Sequence, residues 1–227
     1  MNASSTAIVS QGRSSAAGVR VWDAPTRLVH WLLVALLSIS WWSAAYHHMG
    51  YHRYSGSALL GVLAFRIYWG FFGSSTARFA QFVKGPRSVW LYLRSRETHF
   101  SPGHNPLGAL SVILLLTLLL TQVALGLFSV DIDGLESGPL SRFVSFEVGR
   151  VCAQLHHVGF RVLEYFIVLH VAAIVFYALF KRENLIVPMI TGRKTWPRQP
   201  LPRVDFGSPW HALVGLALAA GLVWWVV

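Results

Sequence analysis

Residues 155–180 read LHHVGFRVLEYFIVLHVAAIVFYALF, and this stretch decides the fold. Its only charged residues are Arg161 and Glu164. A helix of this length spans about 39 Å, more than the ~30 Å hydrocarbon core of a bilayer. The stretch is therefore a membrane span, and it carries three histidines, His156, His157 and His170.

Four further blocks on either side share its character: Leu28–Tyr46, Tyr54–Gly73, Pro106–Val130 and Pro209–Val227. The predicted fold class is all-α, an integral membrane bundle of four core transmembrane helices plus a fifth C-terminal one. Ser88–Tyr92, in the connector after the second span, reads as a short interfacial segment because Trp and Tyr favour that zone. Residues 1–19 read as a flexible tail, residues 20–193 as the membrane unit, and residues 194–227 as a connector with the extra helix.

Composition agrees. Hydrophobic residues make up 54% of the 227 and charged ones 12%, against about 25% charged in soluble domains, and the mean hydropathy is +0.51. A water-soluble enzyme and a disordered chain are excluded. The net charge of +10 does not mark a nucleic-acid surface, because the basic residues sit in the connectors. With the N-terminus inside, the inner segments hold fourteen Lys and Arg and the outer segments three, Arg53, Arg142 and Arg150. That asymmetry follows the positive-inside rule and puts the N-terminus in the cytoplasm, the acidic 131–147 loop in the periplasm and the C-terminus outside. Cys152 is the only cysteine, which excludes intrachain disulfides, cysteine-held iron–sulfur clusters and covalent haem attachment.

Imidazoles are costly inside a membrane unless paired or bound, so intramembrane histidines are functional candidates. Fourteen residues separate His156 from His170, which is about 21 Å of rise and a net rotation of only about 40°. Two imidazoles thus leave one helix face at two depths, whereas His157 falls on another face. Such spacing suits two stacked planar cofactors, each taking one ligand from this helix, and not one compact metal site. His52 opens the second span at the level where His156 opens the fourth. His30 lies about 25 Å below the outer end of the first span, close to the depth of His170. The expected pairs are His52 with His156 and His30 with His170. A bis-imidazole iron has no open position, which favours electron transfer, so two non-covalent b-type haems are expected. His104 is the substitute for His30 as inner ligand. Arg66 either pairs with a haem propionate or snorkels to the surface, and Arg161 with Glu164 forms a local ion pair or faces propionates. His47, His48, His99 and His211 fall in turns, connectors or at a span's edge.

Arg20-Val-Trp-Asp-Ala-Pro-Thr-Arg-Leu-Val-His30-Trp31, His52-x-x-x-Gly56 with Arg66 beyond it, Leu155-His156 with His170, and Asn184-Leu-Ile resemble the bacterial cytochrome b561 family. That family includes the cytochrome b subunits of nickel–iron hydrogenases. The resemblance covers about residues 20–193 and implies a di-haem bundle with the same four ligands. It implies electron relay across the inner membrane between the quinone pool and a redox protein, a hydrogenase small subunit or a c-type cytochrome. The competing expectations are a quinone-linked superoxide oxidase and a haem-free metal transporter or anchor. The fifth helix and the long N-terminal tail depart from the four-span pattern.

Overall fold

The computed structural model describes residues 17–94, 101, 103–133, 135–196 and 200–227. Most of the expected tail, His99 and two of the connector arginines, Arg96 and Arg198, lie outside the described residues. The elements run β1 (Ala17–Arg20), α1 (Ala24–Ala45), α2 (Met49–Phe72), α3 (Phe79–Phe82), α4 (Pro86–Arg94), α5 (Pro106–Phe128), α6 (Phe146–Phe180), α7 (Ile186–Thr191), β2 (Arg193–Trp196) and α8 (Pro209–Val226), with a 3-10 turn at Ser141–Phe143. Five of these helices, α1, α2, α5, α6 and α8, are long and apolar enough to cross a membrane.

The starts of these helices follow from local chemistry. Asp23, Asn105, Ser145 and Ser208 each sit at an N-cap and accept a backbone N–H from the first turn. Proline follows within the first turn in α1, α5 and α8, where its missing N–H costs nothing. The fourth span proves longer than its apolar window: α6 has 35 residues, about 52 Å, because Ser145 caps it well before the hydrophobic stretch begins. Between α1 and α2 the chain reverses in a tight turn, where His47 adopts a left-handed φ of 57°.

Helices α1 and α8 both pack along α2, α5 packs along α6, and α2 meets α5 to join the two groups. Small residues permit the close approaches. Ser40 and Ser55 share a buried hydrogen bond of 2.7 Å between α1 and α2, and a side chain at Gly61 would meet Val223 of α8 at 3.0 Å. One core cluster joins Val29, Phe65, Trp69 and Ala219, and a second joins Leu63, Leu116, Leu119 and Leu163. We call the end where α1, α5 and α8 start the basic end, and the other the acidic end.

A buried carboxylate ties the basic end together. Asp23, 4% exposed, accepts Thr26 N at 2.7 Å, Trp69 Nε1 at 3.0 Å and Ser74 Oγ. The last residues of the expected tail form β1, which pairs antiparallel with β2 in the register Arg20↔Arg193. The strand β2 spans the expected boundary at residue 193, and α8 is anchored behind it by Asp205, whose carbonyl accepts Ser75 N at 2.8 Å.

Candidate functional site

Two of the four singled-out histidines meet at the acidic end. His52, in the first turn of α2, and His156 of α6 have ring centroids 6.0 Å apart with planes at 86°. His52 Nδ1 donates to the Ser40 carbonyl at 2.9 Å, and His156 Nδ1 donates to the Gln122 carbonyl at 2.9 Å. A carbonyl only accepts, so each ring carries its proton on Nδ1 and keeps the Nε2 lone pair for a metal. Metal–imidazole bonds of about 2.0 Å on a common axis would separate two ring centres by about 6 Å. The residues present fit a shared axial iron. Gln122 also donates its side-chain Nε2 to the His156 carbonyl at 2.9 Å, and a Cβ at Gly126 would stand 3.0 Å from His156 Cε1. The glycine is therefore what lets the imidazole lie against α5.

At the basic end, His170 Nδ1 lies 3.3 Å from Ser111 Oγ, so His156 and His170 both turn towards α5. His30 is the seventh residue of α1, in the half of that helix nearer the basic end. Its Nδ1 is buried without a hydrogen-bond partner, and its ring meets Trp31 edge-on at 5.0 Å. Arg66 is 6% exposed, with its guanidinium 5.1 Å from the Phe79 ring centre and Nη1 buried and unpartnered.

His104 joins this group. Its ring packs between Trp22 at 4.8 Å and Phe82 at 4.7 Å. Burial first, then the charges of Arg66, His170 and His30, pull its pKa down to about 3. The imidazole is neutral, and its Nδ1 has no partner.

The remaining candidates are peripheral. His157 is exposed, His48 lies tilted at 5.3 Å from Trp42 in the turn between α1 and α2, and His211 sits 6.0 Å from Phe72. Arg161 and Glu164 form an exposed pair at 3.3 Å. Among the described residues, no three His, Cys, Asp or Glu side chains converge on one point. What sequence reasoning missed is the supporting set of Ser40, Ser111 and Gln122; the available signal was polar residues inside otherwise apolar spans.

An apolar groove of about 1160 Å³ lies between α1, α2 and α8, walled by Trp31, Val62, Phe65, Leu216 and Ala220, with Arg27 at its basic end. Trp31 thus touches His30 on one side and the groove on the other.

Among known proteins, the chain is similar to the "Probable Ni/Fe-hydrogenase B-type cytochrome subunit" of Rhizobium leguminosarum bv. viciae, 28% identical over 211 residues, with 78% of this chain and 88% of the relative covered. The proteins of the same name from Rhodobacter capsulatus (25% identical; 78% and 82% covered) and Azotobacter chroococcum mcd 1 (26%; 77% and 87%) are also similar. No solved structure matches. The family described as prokaryotic cytochrome b561 matches residues 21–192, a range that takes in α1 to α7 and every histidine of the two candidate sites. With five apolar helices and imidazoles arranged for iron, the chain belongs to the prokaryotic cytochrome b561 family, membrane electron-transfer proteins that carry haem b.

Proposed function

We propose that this protein relays electrons between the quinone pool and a redox partner protein, using two b-type haems. The observation that carries the reading is the His52–His156 pair, 6.0 Å between ring centres with both Nδ1 atoms tied to backbone carbonyls. Bound haem would supply a one-electron ferric–ferrous couple. His52 and His156 would hold one haem and His30 and His170 the other, at different depths of the same bundle. Ser40, Gln122 and Ser111 orient three of the four rings. Half-buried imidazoles paired in this way would keep oxygen and water from the iron.

The reading extends to the partners. The apolar groove has the shape and lining for an isoprenoid quinone, and Trp31 places its wall in contact with His30. The relatives' names make a nickel–iron hydrogenase the first choice of redox partner. The acidic end, with Asp131, Asp133, Glu136 and Glu147, would equally receive a basic protein surface such as that of a c-type cytochrome. The basic connectors support an N-terminus in the cytoplasm, in keeping with a bundle in the bacterial inner membrane. Residues 20–193 form the di-haem unit, and α8 is an addition that completes the groove.

The purified protein in liposomes, mixed anaerobically with a short-chain quinol, tests this reading. Appearance of a reduced b-type α-band at a rate that saturates with quinol is the expected result. A haem spectrum that dithionite reduces but quinol does not would exclude the quinone link.

A further inference from the structure

We propose that Arg66 and His104 together form an anion-binding pocket that receives the haem carboxylates at the basic end, His104 acting as a hydrogen-bond donor and not as an axial ligand. The inference rests on the haem reading of that site given above.

Among the described residues, the basic end holds unpartnered buried nitrogens on Arg66 and His104 as well as on His30 and Arg78. Arg66 is 6% exposed, yet its Nη1 makes no hydrogen bond, and neither does Nδ1 of His104. A buried guanidinium is tolerated only when its charge is met. Asp23 is the carboxylate whose charge reaches Arg66, but its oxygens are committed to Thr26 N, Trp69 Nε1 and Ser74 Oγ. Arg66 is also the strongest charged influence on His104. A buried cation and a neutral donor, each laid against a ring of α3 and each without an acceptor, call for an anion.

The scaffold fixes both groups from several directions. Helix α3 lays Phe79 under the Arg66 guanidinium and, three residues on, Phe82 against the His104 ring. Gly70 makes room for this, since a side chain there would collide with the Phe79 ring. The His104 carbonyl accepts Ser101 Oγ at 3.1 Å. The next residue, Asn105, caps α5 through Gly108 N at 2.7 Å and donates to Tyr177 Oη at 2.9 Å. Such restraint is what a preorganised anion site requires.

Depth separates His104 from the ligand level. Ser111 of α5 is level with His170, their polar atoms being 3.3 Å apart. His104 precedes it by seven residues, about two turns and ~10 Å closer to the basic end. A planar group ligated at the level of His170 would reach that pocket with one edge, and the edge of a haem that carries charge is its carboxylate edge.

Haem content and redox titration of the full-length protein in detergent test the assignment. Expected is a wild-type haem-to-protein ratio in His104→Leu and in Arg66→Gln. Each substitution should lower one midpoint potential, because a carboxylate deprived of its donor or cation exerts more negative charge on the iron. The shift should be at least about a tenfold change in the reduction equilibrium, ~59 mV for a one-electron couple. His104→Gln, which keeps a donor, should restore most of it. Loss of a haem in His104→Leu but not in His30→Ala would make His104 the ligand and overturn the proposal. Unchanged potentials in both variants would reduce the pair to a structural role and overturn it equally. If His104→Leu does not accumulate, Arg66→Gln alone decides by the same shift. A wild-type protein without haem would instead defeat the function proposed above.

Discussion

The rings of His52 on α2 and His156 on α6 meet edge-on, 6.0 Å between centres, with Nδ1 of each hydrogen-bonded at 2.9 Å to a backbone carbonyl of a third or fourth helix. Four of the five long helices thus converge on one pair of imidazoles. This arrangement makes the acidic end a rigid site, and its consequences are open to measurement.

Replacing either member of the pair should remove one haem and leave the other. His52→Ala and His156→Ala are each expected to halve the haem-to-protein ratio measured as pyridine haemochromogen. His157→Ala should leave the ratio unchanged, since that side chain is exposed. Loss of haem in the His157 variant alone would overturn the assignment.

Gly126 offers a test that leaves every histidine in place. A Cβ there would lie 3.0 Å from His156 Cε1, and the branched side chain of Gly126→Val would push the imidazole off its carbonyl. Haem occupancy should fall towards one per chain, with the His30–His170 haem retained. Full occupancy with an unaltered spectrum would show that the ring does not rest on this glycine.

Asp23 should matter for stability before it matters for redox chemistry. Asp23→Ala removes the α1 cap and strands Trp69 Nε1 and Ser74 Oγ in the core, at a cost of about 2–4 kcal/mol. Thermal unfolding in detergent should show a lower transition, and Asp23→Asn, which retains an acceptor, should recover part of the loss.

Ala220 lines the apolar groove and is itself exposed. Ala220→Phe fills that space without touching a histidine. The KM for quinol should rise at least about tenfold, ~1.4 kcal/mol, while the haem spectrum and potentials stay as in the wild type. An unchanged KM would place quinone elsewhere.

Much of this architecture was legible in the sequence. Uninterrupted apolar stretches reveal five spans because a bilayer tolerates no other solution, and a 14-residue spacing reveals two imidazoles on one helix face because helix geometry is fixed. The start of α6 was less legible. Its first nine residues are held by the Ser145 cap and lie outside the apolar window. The pairing of β1 with β2 carries no signal, since two four-residue strands at opposite ends of the chain have no periodicity to detect. Asp23 reads as a turn residue, and only the fold shows it as a buried acceptor for α2 and the turn beyond it. His104 is similar: its burial depends on Trp22 and Phe82, residues distant in sequence that the turn before α1 and the end of α3 bring to it. The groove exists because α8 seats Gly215 and Ala219 against α2, a contact that hydropathy does not encode.

The most direct test is the haem stoichiometry of the purified full-length protein expressed with ample haem. Two b-type haems per chain are expected, falling to one in His52→Ala and to one in His30→Ala, with the two variants retaining haems of different midpoint potential. A colourless wild-type protein, or one whose haem survives both substitutions, would contradict the account.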